Sequence, residues 1–152
     1  MSGVVFTVGN VLMGDDGAGP LLAELLEAEG ADGWTVIDGG SAPENVMHAV
    51  RRGAPERVVL VDAADMQLPA GEVRRIDKAQ VAEAFLITTH AIPLDFLVAS
   101  LEETIPEVTF VGIQPERVEF FATMTPAVRT AVTDLHARFR DGRGVADIPA
   151  IA

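Results

Sequence analysis

Residues 4–20, VVFTVGNVLMGDDGAGP, pass from an apolar run through a glycine-broken turn to two adjacent carboxylates, Asp15 and Asp16. Two more aspartates, Asp38 and Asp62, each stand at the end of an apolar run, and His90 sits in Thr88-Thr89-His90-Ala91-Ile92-Pro93, just ahead of a proline-marked helix start. Carboxylates brought together repel, so such a group persists if a cation neutralises it, if one member is protonated or if water screens it. A neutral imidazole at His90 can hold a metal through one nitrogen and give its other N–H to a carbonyl or carboxylate. Plainer roles compete at each position. Asp15 or Asp16 can cap the following helix, Asp62 can close a turn, and a lone histidine can be a surface or capping residue.

The elements around these residues decide whether they meet. Apolar runs at 4–8, 34–37, 58–61 and 108–113 read as strands. Helical stripes lie between and after them: Leu21, Leu22, Leu25 and Leu26; residues 44–52; and Leu94, Leu97, Val98 and Leu101 within 93–101. Gly19-Pro20 and Thr125-Pro126 mark helix starts, the second leading to a face of Val128, Val132, Leu135 and Phe139. Residues 72–76, after a Pro-Ala-Gly turn, read as an edge strand that can run antiparallel, and 82–87 is ambiguous between helix and strand. This alternation predicts an α/β fold: one three-layer domain over residues 1–140, a mostly parallel twisted sheet of about five strands flanked by helices, and a loose tail over 141–152. In a parallel sheet the strand ends open on one edge, the place where ligands bind, so Asp15/Asp16, Asp38 and Asp62 converge there. His48 and His136 fall on helices among polar neighbours and read as solvated.

Composition removes whole classes of function. A chain of 152 residues fits one domain, and that length buries about 68–70% of its unfolded surface. There is no cysteine, which excludes disulfides, thiolate metal sites and cysteine nucleophiles supplied by this chain. A net charge of -12 and a pI near 4.5 oppose nucleic acid and anionic membranes. No window approaches the roughly 18 apolar residues of a membrane span, and the first residues lack a signal-peptide pattern, so a cytoplasmic protein is expected. HExxH and GxSxG are absent, Gly14-Asp15-Asp16-Gly17-Ala18-Gly19 is not GxGxxG, and Ser41 reads as a turn residue.

Five blocks, GNVLMGDDGAGPLLAELL, VIDGGSAPEN, LVDAADM, TTHAIPLDFL and GIQPERVEF, in this order and spacing, resemble the hydrogenase maturation endopeptidases, and in particular the branch serving the hydrogenase of formate hydrogenlyase. The similarity runs from about Val4 to about Arg138. It implies a cytoplasmic protease, expected to act as a monomer, that removes the C-terminal extension of a [NiFe]-hydrogenase large-subunit precursor after nickel insertion. The family's metal-binding residues fall on Asp16, Asp62 and His90, which would bind nickel presented by the substrate, with no organic cofactor. Its Asp-Gly stretch for substrate recognition falls on Asp38, Gly39, Gly40 and Ser41. Two carboxylates and an imidazole leave coordination positions open, as a working site requires.

Two other readings stay in view. One is a non-catalytic metal-binding domain. The other is a receiver-like phosphoacceptor, in which Asp15, Asp16, Asp62 and Thr88 or Thr89 would surround magnesium. A receiver also needs a lysine after the last strand. There the sequence has Gly112-Ile113-Gln114-Pro115, and its one lysine, Lys78, lies elsewhere.

Overall fold

The structure, a computed structural model, describes residues 2–77, 79–80 and 94–151. The ambiguous segment 82–87, together with Thr88, Thr89 and His90, lies outside the described residues. Five strands, β1 (Gly3–Thr7), β2 (Trp34–Asp38), β3 (Arg57–Ala63), β4 (Val73–Ile76) and β5 (Glu107–Ile113), form one sheet in the order β2-β1-β3-β5-β4. All neighbours are parallel except β4, which runs antiparallel to β5 with Val73 opposite Ile113. The expected antiparallel edge strand is therefore present.

Two-residue alternation along the buried strands supplies two cores, one on each face of the sheet. Val4, Phe6, Val58 and Leu60 face α2 (Met47–Arg52) and α3 (Leu94–Glu102), where Leu94, Leu97, Val98 and Leu101 are buried as the helical stripe predicts. Val5, Val59, Val61 and Val111 face α1 (Ala18–Ala28) and α4 (Pro126–Arg140), through Leu22, Leu26, Val132, Leu135 and Phe139. Leu21 and Leu25 are only half-buried, so the four-leucine stripe of α1 is narrower than its sequence suggests. Residues 43–46 form a 3-10 turn ahead of α2, which shortens the helix expected over 44–52. Among the described residues no helix is long and apolar enough to cross a membrane.

Two side chains differ from their sequence readings. His136 is buried, with Nε2 2.7 Å from the carbonyl oxygen of Glu29. Helix α4 packs on α1, and Glu29 is the residue at which α1 ends, so the ring supplies a donor to the carbonyl-rich end of that helix. Position 136 follows Leu135 on the buried face, and polar sequence neighbours hid that placement. Residues 143–151, within the stretch expected to be a loose tail, lie beside β4 and α4. Arg75 donates its N–H to the Pro149 carbonyl (2.9 Å), Ile151 donates to the Arg75 carbonyl (3.1 Å), and Val145 and Ile148 are buried. Ile148→Ala is expected to cost about 2 kcal/mol, the low end for such truncations because a terminal segment can relax. The urea midpoint checks this, and an unchanged midpoint would show that the segment contributes no packing.

Candidate active site at the C-terminal edge of the sheet

Loops leaving β1, β2, β3 and β5 gather at one edge and are tied to one another by backbone hydrogen bonds. Gly39 donates its N–H to Thr7 (2.6 Å), Gly9 to Gly40 (2.9 Å), Val8 to Val61 (2.9 Å) and Ala64 to Ile113 (3.0 Å). Two of these glycines have no tolerable replacement. A Cβ on Gly9, whose φ is +150°, would stand 2.1 Å from the carbonyl oxygen of Asp16, and one on Gly39 would stand 2.7 Å from the Phe6 ring. The first loop can fold back on Asp16, and the second can pass over Phe6 and Pro43, only with bare backbone at these positions.

Asp15 and Asp16 lie in a 3-10 turn, Gly14–Gly17, that runs directly into α1 and packs against β3. Neither side chain caps the helix, whose N-cap position is Gly17, so the capping alternative does not hold. Both carboxylates are fully buried, and they have separate tasks. Asp16 accepts the Asn10 N–H through Oδ2 at 2.9 Å. Asp15 turns toward the loop after β5, where it accepts the backbone N–H groups of Glu116 (2.8 Å), Arg117 (3.0 Å) and Thr125 (2.7 Å) and the Thr125 hydroxyl (2.8 Å). Burial pushes the Asp15 carboxyl upward, but the donors from Arg117, Thr125 and Glu116, with the Thr125 hydroxyl, outweigh it and hold the group below its ordinary value of 3.8. Thr125 occupies the N-cap position of α4 as expected, yet its side chain is spent on Asp15 rather than on the helix.

Asp62 is also fully buried, near the end of β3, and accepts the Ala63 N–H at 2.8 Å. Asp38 is more exposed, at the end of β2, and one of its oxygens accepts the Thr7 hydroxyl (3.0 Å) and the Gly40 N–H (2.9 Å). That carboxylate closes its own turn and presents Gly39, Gly40 and Ser41 beside the first loop. Asp16, Asp62 and the 38–41 turn thus share one sheet edge, as their positions after successive parallel strands predict. His90, the third expected ligand, lies outside the described residues.

Sequence reasoning overlooked three residues that shape this edge. Asn10 donates its N–H to Asp16 and accepts the Leu12 N–H through its side chain (2.9 Å). Gln114 is buried and accepts the Met66 N–H (2.6 Å) and the Leu68 N–H (3.3 Å), while its amide donates to Asp65 (3.2 Å) and the Pro115 carbonyl (3.2 Å). It fastens the loop after β3 to the loop after β5. Its signal was available: an amide placed directly after an apolar strand and before a proline is positioned to bracket loops. Thr125 is the third, hidden by its reading as a helix cap.

A family model for the HycI hydrogenase maturation protease matches residues 20–139. The chain is 49% identical over 144 residues to the hydrogenase 3 maturation protease of Escherichia coli K12, an alignment covering 95% of this chain and 92% of that protein. The chain belongs to the hydrogenase maturation protease family. Its fold agrees with the family's solved structures. The endopeptidase HycI from E. coli superposes with a TM-score of 0.92 at 47% identity, covering 100% of this chain and 97% of that one. HycI from Thermococcus kodakarensis KOD1 gives 0.81 at 25% identity, covering 93% and 92%. The chain is therefore a peptidase of hydrogenase maturation. The receiver reading is not favoured, and the structure adds a reason: the position after β5 holds Gln114, whose amide is engaged with the neighbouring loop.

Proposed function

We propose that this peptidase removes the C-terminal extension from a [NiFe]-hydrogenase large-subunit precursor once nickel has been inserted. Asp16 and Asp62 grip the nickel that the precursor presents, together with His90, whose part rests on the resemblance. Asp38, Gly39, Gly40 and Ser41 contact the peptide beside it. The observation that carries this reading is the burial of two carboxylates, Asp16 in the turn ahead of α1 and Asp62 near the end of β3, at the ligand-binding edge of a maturation protease fold. Among the described residues no group of three or more potential ligands comes together. A metal bound here must draw other donors from outside them, and a nickel ion that arrives with the precursor's own ligands meets that need. Nickel is then substrate rather than resident cofactor, and no organic cofactor takes part.

Binding the ion holds the nearby C-terminal peptide bond in register for hydrolysis, and positioning of this kind contributes several kcal/mol to a rate. The net charge of -12, and the absence among the described residues of a helix long and apolar enough to cross a membrane, suit a cytoplasmic monomer acting on a protein.

The test is processing of the large-subunit precursor with and without inserted nickel, followed by mass spectrometry of its C-terminus. Loss of one discrete C-terminal peptide from the nickel-loaded form alone is expected. Cleavage of the nickel-free form by purified protein that carries stoichiometric metal of its own would overturn recognition of substrate nickel. Failure to cleave either form, with both proteins folded, would overturn the peptidase reading for this precursor.

A further inference from the structure

We propose that Val11 and Leu12 of the first loop, with Phe120 and Phe121 of the loop after β5, form the docking pad for the large-subunit precursor, which meets it through an apolar surface next to its processing site. The inference rests on the peptidase reading above and extends it from the cleft to the surface around it. These four residues are 68%, 50%, 66% and 83% exposed, and they account for four of the five large apolar side chains that stand in solvent among the described residues. The two pairs are more than 100 residues apart in sequence, yet Phe121 donates its N–H to the Leu12 carbonyl at 2.7 Å and Asp15 donates its own to the Arg117 carbonyl at 2.8 Å. The Asp15 carboxylate clamps the same pair of loops from beneath. The pad is built on a fixed base.

Phe121 is the residue least explained by folding. Its φ is +61°, a left-handed conformation that a bulky side chain seldom adopts. Its ring gains no burial in return, with only a tilted neighbour in Phe120 at 6.0 Å between centroids. An aromatic held outward at the expense of its own backbone serves what it presents, and exposed aromatic and aliphatic clusters of this kind mark protein contacts. Behind Val11, a groove of about 270 Å³ also lined by Leu21, Met124 and Arg129 has room for a side chain from a partner.

Continuity with the cleft selects the occupant. Asn10 donates to Asp16, and Val11 is the next residue, so the pad begins where the carboxylate site ends. A precursor seated with its C-terminal segment over Asp16 must cover it. A second copy of this chain on the pad would instead obstruct the cleft.

Phe121→Gly and Leu12→Ser separate this proposal from folding and from chemistry. Glycine accepts the left-handed backbone freely, so the melting temperature of Phe121→Gly should not fall. With the nickel-loaded precursor as substrate, each variant is expected to raise KM about tenfold with kcat within about twofold, because docking lost equally from the ground and transition states moves KM alone. An unchanged KM, or a fall in kcat at constant KM, would overturn the pad and leave the peptidase reading intact. A wild-type dimer in sedimentation equilibrium that Phe121→Gly converts to monomers would assign the pad to self-association and also overturn the proposal. A wild-type chain that leaves the folded, nickel-loaded precursor uncut would overturn the peptidase reading and the pad with it.

Discussion

Replacement of Asp62 by asparagine is expected to slow precursor processing by about 100-fold or more, the penalty for losing the register of a reacting bond, while leaving the melting temperature unchanged or raised. The two halves of this result have one cause. Asp62 is fully buried near the end of β3, and the turn that carries the fully buried Asp16 packs against that strand. Keeping a charge out of water is costly, and that cost is recovered when a cation arrives. Asparagine keeps the size of the side chain and can still accept the Ala63 N–H, so that bond at the strand end is kept. What it lacks is the charge and the second strong oxygen donor that a metal needs. Asp16→Asn should behave in the same way in single-turnover cleavage, since Asp16 holds the Asn10 N–H through one oxygen and an amide oxygen can do likewise. Near-wild-type cleavage by both variants would show that the metal is gripped elsewhere.

The position of this site was legible because parallel topology converts sequence order into spatial proximity. Apolar runs in alternation with helical stripes indicated the sheet, and each run that ended in aspartate placed a carboxylate at the same edge. The edge strand Val73–Ile76 was readable from the short turn that leads into it, whereas the bonds that Arg75 makes on its far side, to Pro149 and Ile151, were not. What could not be read was the assignment of adjacent polar residues. Asp15 and Asp16 are chemically identical neighbours, and only the path of a loop 100 residues later determines that one clamps that loop while the other accepts the Asn10 N–H. His136 was misread for a related reason: its partner, the Glu29 carbonyl, is a backbone atom at the end of another helix, which no side-chain pattern announces. Gln114 is similar, since its side-chain oxygen accepts backbone N–H groups more than 40 residues away, and Thr125 meets the Asp15 carboxylate, 110 residues distant.

The clamp itself sets the second large effect. Asp15→Ala is expected to lower stability by about 3–5 kcal/mol, because one truncation removes the acceptor for three backbone N–H groups and a hydroxyl, and each stranded donor costs about 1–3 kcal/mol less whatever water returns to it. The loss should reach function as well, since the freed loop carries Phe120 and Phe121 and braces the turn that bears Asp16. Acid supplies an independent check with a definite sign. The folded carboxyl lies below its ordinary value of 3.8, so the folded state binds its proton less readily than the unfolded chain does. The stability Asp15 contributes is therefore fully present above that value and is lost as pH falls toward and through the lower folded one. Denaturant midpoints measured from pH 6 down to about pH 3 should accordingly fall more steeply for the wild type than for Asp15→Asn, which has no proton to take up in this range. Parallel curves for the two proteins would mean that the carboxylate is not ionised in the clamp, and that the donors of Glu116, Arg117 and Thr125 are held by a neutral acid.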